Sequence, residues 1–150
     1  MLDESTTKSI EKLHSRDREA VEQAVAELGA RLPELGDADF RAAVEALCSL
    51  FYIDTYDRAD LEPALDHAVD ILAREGARVV NLLLEFMEGS DIKSHLYLAT
   101  ALGHIGPPAL PALRRFIATA DDPYSRSFAL FALGKLRNPE VHEALPEVIG

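Results

Sequence analysis

Ten residues, YLATALGHIG at Tyr97–Gly106, return as FALFALGKLR at Phe128–Arg137, a shift of 31 positions. Upstream the echo runs at a shift of 30. There GARVVNLLLEFMEGSD (Gly76–Asp91) aligns with GPPALPALRRFIATAD (Gly106–Asp121), pairing Val80 with Leu110, Leu83 with Leu113, Phe86 with Phe116 and Met87 with Ile117. A third, looser copy begins at NPEVHEALPEVIG, where Pro139 corresponds to Pro108. A unit of this size cannot close a core of its own, so recurrence predicts that successive copies bury their apolar faces on one another.

Each copy reads as two short helices. Leu98, Ala101, Leu102 and Ile105 fall on one face at helical spacing. Asp122-Pro123 is a capping residue followed by proline at the first helical position, and Asn138-Pro139 repeats the device. Gly106 before Pro107-Pro108 stops one helix and starts the next. Extended along the chain, the pattern predicts helices near 5–13, 16–32, 37–53, 60–75, 77–89, 91–105, 107–119, 122–136 and 139–149. Long stretches rich in Ala, Leu, Glu and Arg, without alternating Val, Ile and Thr, make the whole an all-α chain.

ALGHIGPPALPAL (Ala101–Leu113) and ALGKLRNPE (Ala132–Glu140) resemble the short HEAT-like repeats of the phycobilisome-lyase type, marked by the pattern ALG.IG.P.ALPAL. The resemblance covers roughly residues 76–150 well and the earlier part weakly. It implies an α-solenoid of stacked antiparallel helix pairs with a right-handed superhelix. All 150 residues would form one domain, with 1–15 as a loosely attached lead-in helix. Relatives of this type include chromophore-lyase subunits, an iron-dependent hydroxylase and many protein-binding scaffolds, so the likeness specifies fold more than role. LPEVIG at the end lacks the polar outer face of a capping unit, and the expectation is that further chain or another subunit covers it.

Charge narrows the partners. The net charge is −11; residues 1–91 hold 21 acidic and 9 basic side chains, residues 92–150 hold 5 and 6. Such a chain repels phosphate backbones, which argues against nucleic acid and in favour of solubility or a basic partner. No apolar run is long enough for a bilayer, and MLDESTTKSIEKL is too polar for a secretory leader. With one cysteine, Cys48, no internal disulfide can form, which fits a reducing cytoplasm.

Catalytic and metal motifs are weak. His142-Glu143 is a single His-Glu pair, whereas the di-iron hydroxylases that the resemblance brings in converge several such pairs on two metals. His14, His67, His95, His104 and His142 lack ligand spacing, and Asp54, Asp57, Asp60 and Glu62 lack the calcium-loop pattern. The reading therefore assigns no metal, no cofactor and no catalytic residue. Cys48 falls at a core-facing position, where thiols are usually inert.

Binding surfaces are the stronger expectation. In the HEAT-like arrangement the second helix of each pair lines the concave side. Its polar stripe here is Arg78, Asn81, Glu85 and Glu88, continued by Pro108, Pro111, Arg115 and Ala118 and then by Pro139 and His142. The first helices present Lys93, Tyr97, Thr100 and His104, replaced in the next copy by Tyr124, Phe128, Phe131 and Lys135. Tyr97, Tyr124, Phe128 and Phe131 thus form an expected aromatic face, with Phe131 folded back between neighbouring copies as the competing expectation. Tyr52 and Tyr56, among aspartates in FYIDTYDRAD, form a candidate recognition loop, or else a plug between helices. The function expected is a non-catalytic scaffold that binds another protein. A subunit of a chromophore (bilin) lyase and a self-assembling structural protein, a homo-oligomer, are the alternatives.

Overall fold

A computed structural model describes residues 3–89 and 92–134. Among them eight α-helices and four short 3-10 turns make up the regular structure, and no strand occurs. In chain order the helices are α1 (Glu4–Lys12), α2 (Arg18–Arg31), α3 (Asp37–Ser49), α4 (Glu62–Arg74), α5 (Ala77–Gly89), α6 (Ile92–Ile105), α7 (Leu110–Thr119) and α8 (Pro123–Gly134). Their order and places follow the periodicity of the sequence, while their ends follow local chemistry. Asp3 caps α1 by accepting the Thr6 N–H at 2.6 Å, and Asp17 caps α2 by accepting that of Glu19 at 3.3 Å. The third helix stops earlier than its apolar pattern suggests: Leu50–Tyr52 tightens into a 3-10 turn and Ile53 is extended. The expected helix at 139–149 lies outside the described residues.

The chain divides into two compact units, Met1–Leu72 and Ala73–Gly150. The division falls in the last turn of α4, just before the clear repetition begins at Gly76.

In the first unit α1 packs on α2 and α3. Lys12 reaches Glu27 at 2.9 Å, Ser9 donates to the same carboxylate at 3.1 Å, and Arg31 pairs with Asp3 at 3.5 Å. The lead-in helix is therefore tied to this unit rather than loosely appended. Val21, Val25 and Leu28 of α2, Val44 and Leu47 of α3, and Leu65, Ala68 and Leu72 of α4 are fully buried. Gly29 lets α4 come close: a methyl there would fall 2.6 Å from Cδ1 and 2.9 Å from Cγ1 of Ile71.

In the second unit neighbours in sequence pair (α5 with α6, α7 with α8), and so do next-but-one helices, α5 with α7 and α6 with α8. Two layers result, α5/α7 and α6/α8. Positions a repeat apart are buried alike: Leu83 and Leu113, Ser94 and Ser125, Leu98 and Ala129, Ala101 and Ala132, Leu102 and Leu133. Short side chains at Ala101, Ala129 and Ala132 let α6 and α8 approach closely.

The turns that lead into α5 and α7 repeat as well. Gly76 and Gly106 have φ of 59° and 84°, the two positive-φ positions among the described residues. Each accepts the N–H of the residue three further on, Val79 at 3.2 Å and Ala109 at 3.0 Å. No atom obstructs a Cβ at either place, so only backbone strain opposes substitution. Gly106, with ψ of −147°, sits in a region nearly closed to other residues, whereas the φ of Gly76 is that of the left-handed helical region, which asparagine tolerates. Gly106→Ala is expected to cost about 1–3 kcal/mol and Gly76→Ala about 1 kcal/mol, with Gly76→Asn recovering part of the loss. Urea unfolding followed by circular dichroism measures all three.

Candidate functional site

The face that α8 presents is set at its first turn. Asp122 accepts the Tyr124 N–H at 3.1 Å through Oδ1 and the Ser125 hydroxyl at 2.7 Å through Oδ2. Ser125 is fully buried; its Oγ also lies 3.3 Å from His95 Nε2 on α6 and 3.4 Å from the Met87 carbonyl on α5. A serine has one proton to give, and the short bond gives it to the carboxylate. Toward His95 the hydroxyl oxygen therefore accepts, and Nε2 carries the hydrogen. The His95 ring stacks on Phe128, with centroids 5.2 Å apart and planes 19° from parallel.

Aspartate, serine and histidine meet here in an order unlike that of a catalytic triad. In a triad the imidazole stands between hydroxyl and carboxylate and takes the serine proton. Here the serine stands in the middle and its proton points away from the imidazole, so the arrangement makes no nucleophile. It joins three helices instead. The Ser125 hydroxyl, and then the Tyr124 backbone N–H, hold the Asp122 carboxyl below its ordinary value of 3.8.

With α8 so oriented, its aromatic residues divide. Tyr124 and Phe131 point outward, 60% and 39% exposed, and Leu96 on the neighbouring α6 is 47% exposed. Phe128 is half-buried, its ring stacked on that of His95. Tyr97 and Thr100 are half-buried and His104 is exposed. The outer side of the α6/α8 layer thus carries three large apolar side chains, Leu96, Tyr124 and Phe131.

On the other layer Arg78, Asn81, Glu85 and Glu88 of α5 are all exposed, as are Pro108, Pro111, Arg115 and Ala118 along α7. Because α5 adjoins α7, the two stripes share one layer of mixed charge. His142 and Pro139 lie outside the described residues. The loop after α3 belongs to the first unit and exposes Tyr52 and Tyr56. Cys48 is buried, and loss of solvent around it, with Glu45 adding to the effect, pushes its thiol far above the ordinary range. Among the described residues no three His, Cys, Asp or Glu side chains gather as a metal site.

The Asp122–Ser125–His95 cluster is the feature that sequence reasoning misses. A local signal for part of it exists: Asp-Pro-x-Ser places a hydroxyl at the third helical position, from which it can reach back to the cap. The link to His95 is a contact between helices and leaves no local mark. Comparison with known proteins finds no matching family model, no matching curated protein and no matching solved structure.

Ser125→Ala removes the buried hydroxyl that bonds Asp122 and meets His95, and is expected to cost about 1–3 kcal/mol. Because Ser125 and His95 are in direct contact, the double variant Ser125→Ala/His95→Phe should lose less than the sum of the single losses. A urea double-mutant cycle measures the coupling. The Asp122 carboxyl is the stronger acid when folded, so its charge stabilises the fold above pH 3.8, and that contribution fades as pH falls through the lower folded value. The Tm gap between wild type and Asp122→Asn should accordingly be constant above about pH 5 and close below pH 3.8.

Proposed function

We propose that this chain is a non-catalytic protein-binding module, built as a HEAT-like solenoid of stacked helix pairs and working in the cytoplasm. The alternation of layers in the second unit and the like burial of positions a repeat apart support the solenoid. One observation carries the binding role: Leu96, Tyr124 and Phe131, large apolar side chains of α6 and α8, are 47%, 60% and 39% exposed while Leu98, Ala101, Ala129 and Leu133 of the same helices are buried. Grouped exposed apolar side chains on a fixed frame mark interfaces. The partner is another protein, and recognition rests on shape and side chains held in register.

A second copy is the other occupant with an observation in its favour. Residues 92–150 hold 5 acidic and 6 basic side chains in a chain of net charge −11. Copies meeting through the α6/α8 layer would bring together a part of the chain that carries little net charge of its own.

The test is affinity capture from native extract with wild type and with Tyr124→Lys/Phe131→Lys; Phe128 is kept because it packs on His95. One stoichiometric protein retained by wild type and lost by the variant, with helicity unchanged, is the expected result. Equal retention by both contradicts the use of this face. Sedimentation velocity of the purified chain separates self-association, which the same variant should abolish.

A further inference from the structure

Tyr56 is 98% exposed, so its ring packs on nothing inside the protein. The loop beneath it is nonetheless held at every step. Asp54 Oδ1 accepts the Tyr56 N–H at 2.9 Å, and the Asp54 carbonyl accepts the N–H groups of Asp57 and Arg58 at 3.2 and 3.0 Å. Arg58 then straps the loop down. Its Nη2 donates to the Arg16 carbonyl at 2.8 Å, while Nε and Nη2 both reach the Asp60 carboxylate at 3.1 Å. A residue distant in sequence is thereby tied to the base of the loop.

An ordered backbone under an unpacked aromatic ring suits an anchor. Binding by a mobile loop loses part of its gain to ordering, and this loop is ordered beforehand. Tyrosine combines a large apolar ring with a polar tip, and it is enriched among the residues that dominate interfaces. Tyr52, 49% exposed, lies beside the loop on the turn that ends α3.

Charge states what the anchor meets. Asp57 is exposed next to Tyr56, and Asp60 and Glu62 follow; the loop's own cation, Arg58, is engaged with Asp60 and Arg16. The part of the chain that includes the loop, residues 1–91, holds 21 acidic against 9 basic side chains. An acidic partner surface would be repelled and a basic one drawn in.

We propose that the Tyr56 loop is a docking plug, its ring entering an apolar pocket on a different protein whose rim carries lysine or arginine facing Asp57. This rests on the protein-binding reading above and adds a second contact site with a partner of defined chemistry. The ring supplies the affinity, so Tyr56→Phe retains most of the binding and Tyr56→Ala does not. Asp57→Lys weakens the association and reduces its dependence on salt.

The experiment is site-directed photo-crosslinking with Tyr56→p-benzoylphenylalanine in the full chain, illuminated in native extract, the adduct being mapped by mass spectrometry. The same amino acid at the exposed Ala30 is the control. Expected is one adduct, specific to position 56, at an apolar site flanked by Lys or Arg on another protein. Excess wild type and Tyr56→Phe should suppress it, while Tyr56→Ala should compete about tenfold less well or worse. No adduct beyond that of the control, an adduct in an acidic site or on a second copy, or equal competition by Tyr56→Ala would overturn the proposal. If capture through Tyr124 and Phe131 succeeds while position 56 yields nothing, the plug is wrong and the protein-binding reading stands.

Discussion

None of the described helices of the second unit can hold its shape alone. Helices α5 to α8 have 13, 14, 10 and 12 residues, short of the length at which an isolated helix persists in water. Each persists because its apolar stripe is covered twice, by the neighbour in sequence and by the helix one further on. That double coverage depends on the sharp turn at Gly106, which returns the chain from α6 to α7, and on alanines that let α6 and α8 come together.

One polar cluster decides which residues of α8 face outward. Nonpolar packing between alanine-rich helices tolerates some rotation, whereas a buried hydroxyl held by a carboxylate and an imidazole does not. With Ser125 fixed between Asp122 and His95, Phe128 must lie against the His95 ring, and Tyr124 and Phe131 must face outward. The cluster thus connects core stability to the composition of the outer surface. In the first unit Arg58 has a comparable part, tying down the loop that carries Tyr56.

Much of the architecture was legible in the sequence, because packing positions repeat. Leu83 with Leu113 and Leu102 with Leu133 align in the letters and are buried alike. Glycine before proline marked the turn at Gly106, and Asp before Pro marked the start of α8. Helix ends were less legible, since Ile53 and Asp54 redirect a pattern that would otherwise carry α3 further. The polar stripe of Arg78, Asn81, Glu85 and Glu88 followed from helical period and is exposed throughout. The choice between Phe128 and Phe131 did not follow: both sit in one apolar run, and only a residue on another helix, His95, distinguishes them. Tyr56 was noticeable as an aromatic among aspartates, but the bond by which Arg58 ties its loop to Arg16 spans 42 positions and leaves no local mark.

The central claim is that α5 to α8 form one cooperative frame, locked by the Ser125 cluster, on which the outer side chains are displayed. Native-state hydrogen exchange resolved by residue tests this most directly. The account predicts that the amides of Leu98 and Leu102 in α6 and of Ala129 and Leu133 in α8 open with a single shared free energy. Separate opening of α8 at a much lower free energy, with α6 still protected, would contradict it.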